Sequence, residues 1–132
     1  MLRTLDTNIC SYILRKRPES VVERFSALSV GDVWISAIVA AELRFGAEKL
    51  GSGPFRATVE AWLAGFEVRA WPVEASSRYA QVRDHLETRG QPIGNMDLMI
   101  ASHALAEDTA VVTNNAREFH RVPGLAVEEW LL

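Results

Sequence analysis

The sequence predicts an α/β protein of three layers, with a central parallel sheet of four to five strands flanked by helices. Strand-like and helix-like segments alternate along the chain, and this order is typical of a parallel sheet that carries helices on both faces. The length of 132 residues fits a single domain spanning residues 1–132. Apolar residues make up 48% of the chain, which is enough for one hydrophobic core without a disulfide or a structural metal.

Two strands and four helices are predicted in the first half of the chain. Two short apolar runs have the length of strands, and each ends in polar residues. Apolar residues at helical spacing follow both runs. The predicted strands are 2–5 and 33–36, and the predicted helices are 9–17, 18–30, 39–51 and 55–66. Gly31 is expected to stop the second helix, and Gly51 lies near the end of the third.

Three strands and two helices are predicted in the second half. The strands are 68–73, 110–113 and 125–127, and the helices are 74–89 and 96–107. Pro72 interrupts the first of these strands, which indicates an edge position or the end of the strand. Gly90 ends the long helix before it.

The charge balance excludes a generic basic coat for nucleic acid. Lys and Arg number 14, Asp and Glu number 17, and the net charge is −3. Clustered carboxylates count as negative until cations bind them, so nucleic-acid chemistry at a metal site stays open.

The cysteine content and the hydropathy favour a cytoplasmic protein without membrane contact. Cys10 is the sole cysteine, so no internal disulfide can form, which fits a reducing compartment. No apolar run reaches the roughly 18 residues of a membrane-spanning helix. The acidic Asp6 also comes too early for a signal peptide.

Three carboxylates from distant parts of the chain are expected at one edge of the sheet. Asp6 follows the first strand, Glu42 lies about one turn into the helix after the second, and Asp97 starts the helix that leads into the fourth. Ligands of open parallel sheets bind at the carboxyl ends of the strands. Grouped carboxylates repel one another unless a cation joins them, and Mg²⁺ prefers such oxygen ligands. The supporting residues expected at this edge are Thr7, Ser36 and Thr113. The hydroxyls of Thr7 and Ser36 are expected to donate hydrogen bonds to the carboxylates.

Each of the three carboxylates also has a purely structural interpretation. Asp6 stands where a helix N-cap would be, and Asp97 lies where the helix dipole favours a negative charge. Glu42 taken alone is typical of a solvated helix surface. The spacing leaves these interpretations open, and the convergence of three separate carboxylates favours a site.

Four segments of the chain resemble PIN-domain proteins, in the same order and at matching spacing. They are Leu-Asp-Thr-Asn within 1–8, Ser-Ala-Ile-Val-Ala-Ala-Glu-Leu at 36–43 followed by Gly46, Gly-Asn-Met-Asp-Leu-Met-Ile-Ala at 94–101, and Val-Val-Thr-Asn-Asn at 111–115 followed by Glu118 and Phe119. Within this family the chain resembles the VapC toxins of type II toxin–antitoxin pairs. Its segment 113–130 is similar to the subgroup that cuts initiator tRNA.

The resemblance implies a magnesium-dependent endoribonuclease, in which Mn²⁺ can substitute. Asp6, Glu42 and Asp97 would be its catalytic and metal-binding carboxylates. Many PIN domains place an Asp at a fourth position, where this chain has Asn115. The Asn removes one charge, and it can offer a carbonyl ligand or hold a water, while the nearby Glu118 can substitute for the missing carboxylate.

The same resemblance implies three partners. The substrate would be RNA, with cleavage in the anticodon loop of initiator tRNA. A VapB-like antitoxin would cover the helices near the site, and the chain would form a homodimer or a larger hetero-oligomer with that antitoxin. We single out Arg117 and Arg121 for contact with RNA, because they follow the fourth strand.

Two other functions remain open on the residues alone. A magnesium phosphatase with an aspartyl intermediate would need Asp-x-Asp after the first strand, and Asp6-Thr7-Asn8 lacks the second carboxylate. A non-catalytic PIN scaffold that only binds partners is disfavoured by the three retained carboxylates.

The aromatic and histidine residues give weaker evidence about their roles. The apolar helix that contains Trp62 is either part of the core or an association surface. His85, His103 and His120 form no ligand pair, so they are predicted to be structural or solvated.

Overall fold

A computed structural model describes residues 2–131, so Met1 and Leu132, the two ends of the predicted domain, lie outside the described residues. The strands are β1 (Arg3–Leu5), β2 (Val33–Ser36), β3 (Glu67–Arg69), β4 (Ala110–Val112) and β5 (Val127–Glu128). The helices are α1 (Thr7–Arg15), α2 (Glu19–Ser26), α3 (Ala37–Leu50), α4 (Gly53–Leu63), α5 (Val73–Thr88), α6 (Asn95–Glu107) and α7 (Ala116–Phe119), with a 3₁₀ turn at Val30–Asp32.

The five strands form one parallel sheet in the order β3-β2-β1-β4-β5. In the central strand β1, Thr4 lies opposite Trp34 of β2 and Val111 of β4. The chain winds from β1 outward to β3 and then returns past β1 to β4, so the winding direction reverses between β1 and β4. Such a reversal opens a crevice at the carboxyl ends of the two strands.

Helices cover both faces of the sheet, which confirms the predicted three-layer α/β fold. Crossovers between parallel strands are right-handed as a rule, and this rule puts α1 to α4 on one face and α5 to α7 on the other. Most helix contacts agree, because α1 packs on α2 and α3, α3 packs on α4, and α5 packs on α6, while α3 also contacts α6 of the other layer. Strands β2 and β4 are buried along their whole length.

The hydrophobic core lies between the sheet and these two helix layers. Its largest fully buried side chains include Trp34, Trp130, Phe119, Leu5, Ile9 and Ile35. Cys10 is also fully buried, and burial raises the pKa of its thiol well above the ordinary value. The thiol is therefore an inert core group, as predicted.

Several element boundaries differ from the predictions for local reasons. The third strand covers Glu67–Arg69 rather than 68–73, because Pro72 is the N-cap of α5 and lies outside the strand. The second helix ends at Ser26, and Gly31 lies in the 3₁₀ turn beyond it. The one-turn helix α7 was not predicted, because four residues are too few to show a period.

Trp62 on α4 packs inside the chain. Its ring centroid lies 6.4 Å from that of Phe25 and 4.6 Å from that of Phe66. All three rings are partly buried against the core, which agrees with the core interpretation of this helix.

Within residues 2–131, none of the helices combines the length and the apolar content needed to span a bilayer.

Candidate active site

Asp6 lies at the crevice between β1 and β4 and is 3% exposed. The strand ends at Leu5, and Asp6 caps α1 because its Oδ1 accepts a hydrogen bond of 2.9 Å from the Ile9 amide. Its other oxygen, Oδ2, accepts a hydrogen bond from the Thr113 hydroxyl, which stands just after β4. Oδ1 therefore acts as the predicted N-cap, whereas Oδ2 is bonded to the segment that follows β4.

Burial raises the pKa of Asp6 from 3.8 to about 6. The hydrogen bonds from Thr113 and Ile9 oppose this rise, and the negative charges of Asp97 and Glu42 add to it. Asp97 and Glu42 are thus close enough to Asp6 for their charges to act on it.

Glu42 is held on α3 by a residue of α1. The Thr7 hydroxyl donates a hydrogen bond of 2.5 Å to Glu42 Oε1. Thr7 therefore orients Glu42, which is the supporting role predicted for it. Both residues line a cleft between α1, α3 and α4, together with Leu43, Leu50 and Phe55.

Asp97 occupies the first turn of α6 and is half-buried. Burial raises the pKa of this carboxyl group, and the nearby charges of Glu118 and Glu42 raise it further. A hydrogen bond of 3.3 Å from Asn115 Nδ2 to Asp97 Oδ2 acts in the opposite direction.

Asn115 connects two carboxylates of the site. Its Nδ2 also donates a hydrogen bond of 2.8 Å to Glu118 Oε2, so one neutral amide lies between Asp97 and Glu118. Its backbone amide donates to the Thr113 hydroxyl at 2.8 Å. An Asp at this position would have no side-chain N–H to donate to Asp97 and Glu118. It would also add a negative charge to a site that is already acidic.

Ser36 does not contact the carboxylates, so the predicted support from its hydroxyl is wrong. Its Oγ accepts a hydrogen bond of 3.1 Å from the Ile38 amide and lies 2.8 Å from His103 Nδ1. The reason is local, because α3 starts at the next residue and the hydroxyl turns to cap it. His103 is fully buried, in line with its predicted structural role.

The two arginines predicted for RNA contact lie beyond the site on the same edge. Arg117 is exposed on α7. Arg121 is half-buried, and its Nη1 donates a hydrogen bond of 3.3 Å to the Pro92 carbonyl, in the loop that leads to Asp97.

A small polar network at the edge of the site was not predicted. Asn8 Nδ2 donates to Asn114 Oδ1 at 3.2 Å, and Asn114 Nδ2 donates to the Tyr12 hydroxyl at 2.9 Å. The available signal was that Asn8 and Asn114 follow β1 and β4 closely in sequence. Their bonds join the start of α1 to the segment that carries Asn115.

The donor set suits a hard cation. Its side chains offer oxygen ligands. Burial is the main cause of the raised pKa values of Asp6 and Asp97, and the neighbouring negative charges add a smaller rise that a bound cation would relieve. Within residues 2–131, no three acidic, histidine or cysteine side chains are arranged to enclose one ion. Mg²⁺ needs no such enclosure, since it is commonly held by one or two carboxylates and keeps several waters.

Comparison with known proteins identifies the family. Residues 3–125 match the PIN domain. The chain is 41% identical over 128 residues to the tRNA(fMet)-specific endonuclease VapC of Salmonella typhimurium, with 96% of each chain covered. It is 39% identical over 132 residues to Ribonuclease VapC2 of Rickettsia felis, with 98% of each covered. The chain belongs to the VapC family of PIN-domain ribonucleases.

A solved structure agrees with this assignment. The DNA-bound VapBC structure from Salmonella typhimurium superimposes with a TM-score of 0.90 at 40% sequence identity, covering 98% of this chain and 99% of that one. Family membership confirms the predicted PIN-like fold and the predicted class of endoribonuclease. PIN-domain ribonucleases are generally metal-dependent, so the coarser part of the cofactor prediction also holds.

Proposed function

We propose that the chain is a toxin that hydrolyses RNA with Mg²⁺ held by Asp6, Glu42 and Asp97, and that Mn²⁺ can replace Mg²⁺. The observation that carries the proposal is that Thr113, Thr7 and Asn115 each hold one oxygen of Asp6, Glu42 and Asp97 by a hydrogen bond. The charges of Glu42 and Asp97 also add to the raised pKa of Asp6. Three elements far apart in sequence bring acidic groups there despite the cost of burying charge. A resident cation accounts for that cost.

Each residue has a distinct task in this proposal. Asp6 and Asp97 would hold the cation, and Glu42, fixed by Thr7, would hold it or orient the attacking water. When bound, Mg²⁺ lowers the pKa of water and neutralises charge that develops on the phosphate. Thr113 keeps Asp6 Oδ2 in place, while Asn115 and Glu118 set the position of Asp97. Because water is the nucleophile, the products would carry a 5′-phosphate and a 3′-hydroxyl.

We propose initiator tRNA, cut in its anticodon loop, as the substrate. The support is the 41% identity to a VapC named for tRNA(fMet). Sequence-specific RNA recognition usually targets unpaired loops, and a chain of net charge −3 must bind them through local cations. Arg117 and Arg121 are such cations beside the acidic site.

We propose a VapB-like antitoxin and a second copy of the chain as protein partners. The VapBC structure from Salmonella typhimurium supports the first. The cleft that contains Thr7 and Glu42 is flanked by the exposed Phe45 and Leu50, so a partner could cover both the apolar side chains and the site. A tRNA substrate would require a cytoplasmic location.

Incubation of the purified chain with total tRNA tests the activity. We expect discrete fragments with Mg²⁺ and none with excess chelator. Asp97→Asn should abolish cleavage, whereas Asp84→Asn, which alters an exposed carboxylate on α5, should leave it unchanged. Products ending in a 2′,3′-cyclic phosphate, or cleavage that persists in Asp97→Asn, would contradict the proposal. Phosphate release from small esters without RNA fragments would indicate the phosphatase instead.

Assembly has a separate test. Light scattering after size exclusion should give the mass of a dimer for the chain alone. Co-expression with its VapB-like antitoxin should give a complex that no longer cuts tRNA. A monomer would contradict the homodimer, and a complex that stays active would contradict inhibition by an antitoxin.

A further inference from the structure

The buried pair Ser36 and His103 lies outside the carboxylate cluster but connects two of its helices. Ser36 is the N-cap of α3, which carries Glu42, and His103 lies on α6, which carries Asp97. Both side chains are 0% exposed, and the distance from Ser36 Oγ to His103 Nδ1 is 2.8 Å. No other side-chain hydrogen bond between α3 or its cap and α6 occurs among the described residues.

The surroundings of His103 select one of its tautomers. Among the described residues, no hydrogen-bond partner meets His103 Nε2, and Glu107 Oε1 is the carboxylate near it at 3.7 Å. An unprotonated Nε2 would turn its lone pair towards that carboxylate. A proton on Nε2 faces Glu107 instead, and Nδ1 is then the acceptor for the Ser36 hydroxyl.

The Ser36 hydroxyl group makes two hydrogen bonds in this arrangement, one as donor and one as acceptor. Its hydroxyl donates to His103 Nδ1 while its oxygen accepts from the Ile38 amide, so one atom both caps α3 and ties it to α6. The order of serine, histidine and glutamate resembles a hydrolytic triad. Complete burial of Ser36 and His103 excludes a nucleophilic role and leaves a structural coupling.

Glu107 is itself fixed by the sheet. Arg69 of β3 donates a hydrogen bond of 2.9 Å to Glu107 Oε2, and its guanidinium lies 4.9 Å from the centre of the Trp34 ring. The Trp34 ring in turn packs edge-on against His103 at 4.5 Å between centroids. His103 is therefore held from two sides and presents Nδ1 to Ser36 in one orientation.

Ser36 and His103 are each the same number of residues away from one carboxylate of the site. Glu42 lies six residues after Ser36, and Asp97 lies six residues before His103. Six residues of α-helix span about 9 Å, and a helix transmits a shift along its axis with little compression. A change at the Ser36–His103 end therefore displaces Glu42 and Asp97 relative to each other.

We propose that Ser36 and His103 are positioning residues that set the separation of Glu42 and Asp97, and so the affinity of the site for a divalent cation. This inference rests on the proposed function, because it assumes that these carboxylates bind the cation. The pair does not touch the cation or the RNA.

Calorimetric titration with Mn²⁺ tests the proposal without measuring activity. Ser36→Ala should weaken Mn²⁺ binding by about tenfold, at the lower end of the range for residues that orient metal ligands. Ser36→Thr retains the hydroxyl and should restore binding. Ser52→Ala is the matched control, because it removes the same kind of N-cap from α4, which carries none of the three carboxylates. It should bind Mn²⁺ like the wild type.

Two substitutions of His103 separate the coupling from simple loss of packing. His103→Asn keeps an acceptor where Nδ1 stood and should retain Mn²⁺ affinity. His103→Gln places its amide nearer the Nε2 position and should weaken binding as Ser36→Ala does. The ¹⁵N shifts of His103 in the metal-free wild type should show a protonated Nε2 and an unprotonated Nδ1.

The outcomes distinguish this inference from the function on which it rests. If the wild type binds Mn²⁺ and Asp6→Asn does not, the proposed site stands. Equal affinities of Ser36→Ala and Ser52→Ala would then overturn the positioning role alone, as would a proton on Nδ1 in the NMR spectrum. A wild type that binds no Mn²⁺ would overturn both.

Discussion

The hydroxyl of Thr7 donates its hydrogen bond to Oε1 of Glu42, across 35 positions of sequence and between two helices. Thr7 begins α1 directly after the buried Asp6, so this bond places Glu42 on the same side of the sheet edge as Asp6. Glu42 is half-buried on α3 and would otherwise be free to choose among many rotamers. The contact therefore gives Glu42 a fixed direction at the site.

Thr7→Val should lower the cleavage rate by about tenfold, because the isosteric side chain removes the hydroxyl that orients Glu42. Thr7→Ser should restore most of the rate. Thr58→Val is the matched control, since the hydroxyl of Thr58 donates to the Pro54 carbonyl within its own helix α4. Initial rates on tRNA measure the effect, and a Thr7→Val protein as active as Thr58→Val would show that Glu42 needs no such support.

The raised pKa of Asp6 makes the stability of the metal-free protein depend on pH. Because the pKa is about 6 in the folded state and 3.8 ordinarily, the folded state holds this proton more tightly than the unfolded state. The contribution of Asp6 to stability should therefore be greatest below pH 4, decrease between about pH 4 and 6, and stay lower above pH 6. Burial of Asp97 acts in the same direction.

Asp6→Asn should remove the part of this pH dependence that belongs to Asp6. The Asn retains an oxygen for the Ile9 amide, so α1 keeps its cap. In chelator above pH 6 the variant should be more stable than the wild type by up to about 3 kcal/mol, at 1.36 kcal/mol per pKa unit. Below pH 4 the two should agree within about 0.5 kcal/mol.

Urea unfolding at several pH values measures this difference. Added Mg²⁺ should stabilise the wild type above pH 6 and leave Asp6→Asn unchanged, because only the wild type gains a ligand in the folded state. An Asp6→Asn protein that is less stable than the wild type at pH 7.5 in chelator would contradict the predicted cost of burying this charge.

Asn115→Asp should make the stability of the protein depend more strongly on bound metal. The substitution removes the Nδ2 hydrogen bonds to Asp97 and Glu118 and places a third negative charge between them. Without metal we expect a loss of stability of about 1–3 kcal/mol, as for a lost hydrogen bond to charged groups. Thermal unfolding should show a larger Mg²⁺-induced rise in Tm than in the wild type. A rise equal to that of the wild type would show that residue 115 lies outside the influence of the cation.

Arg117→Ala should weaken RNA binding with little effect on stability, because Arg117 is exposed on α7. Removing one phosphate contact on a single-stranded loop should reduce the salt slope of binding by about 0.7. Arg56→Ala is the control, since that exposed arginine pairs with Glu48 on the other helix layer. Filter binding at several salt concentrations, with chelator to stop cleavage, provides the measurement. Identical slopes for the two variants would show that Arg117 does not contact the RNA.

Asp6 illustrates what the sequence could predict about the site. A polar residue directly after a strand is both a helix cap and a candidate ligand, and local spacing cannot separate these roles. In the structure Oδ1 caps α1, while Oδ2 bonds to Thr113 and takes no part in the cap. The position of Asp6 at the sheet edge followed from its place directly after the first strand of a parallel sheet.

Ser36 illustrates what the sequence could not predict. Its partner His103 stands 67 positions later on a helix buried on most sides, so no local pattern connects the two residues. The amide of Asn115 is a similar case, because its choice between donating to carboxylates and offering its oxygen depends on side-chain rotation. Periodic patterns along one segment predict elements, whereas such contacts depend on the packing of whole helices.

The central claim is that one divalent cation lies between the side chains of Asp6, Glu42 and Asp97. A crystal soaked in Mn²⁺ and measured at the manganese absorption edge tests it directly. The account predicts an anomalous peak at the crevice between β1 and β4, about 2.0–2.3 Å from oxygens of at least two of the three carboxylates. A well-ordered crystal with no peak there, or with manganese bound only at other surface groups, would contradict it.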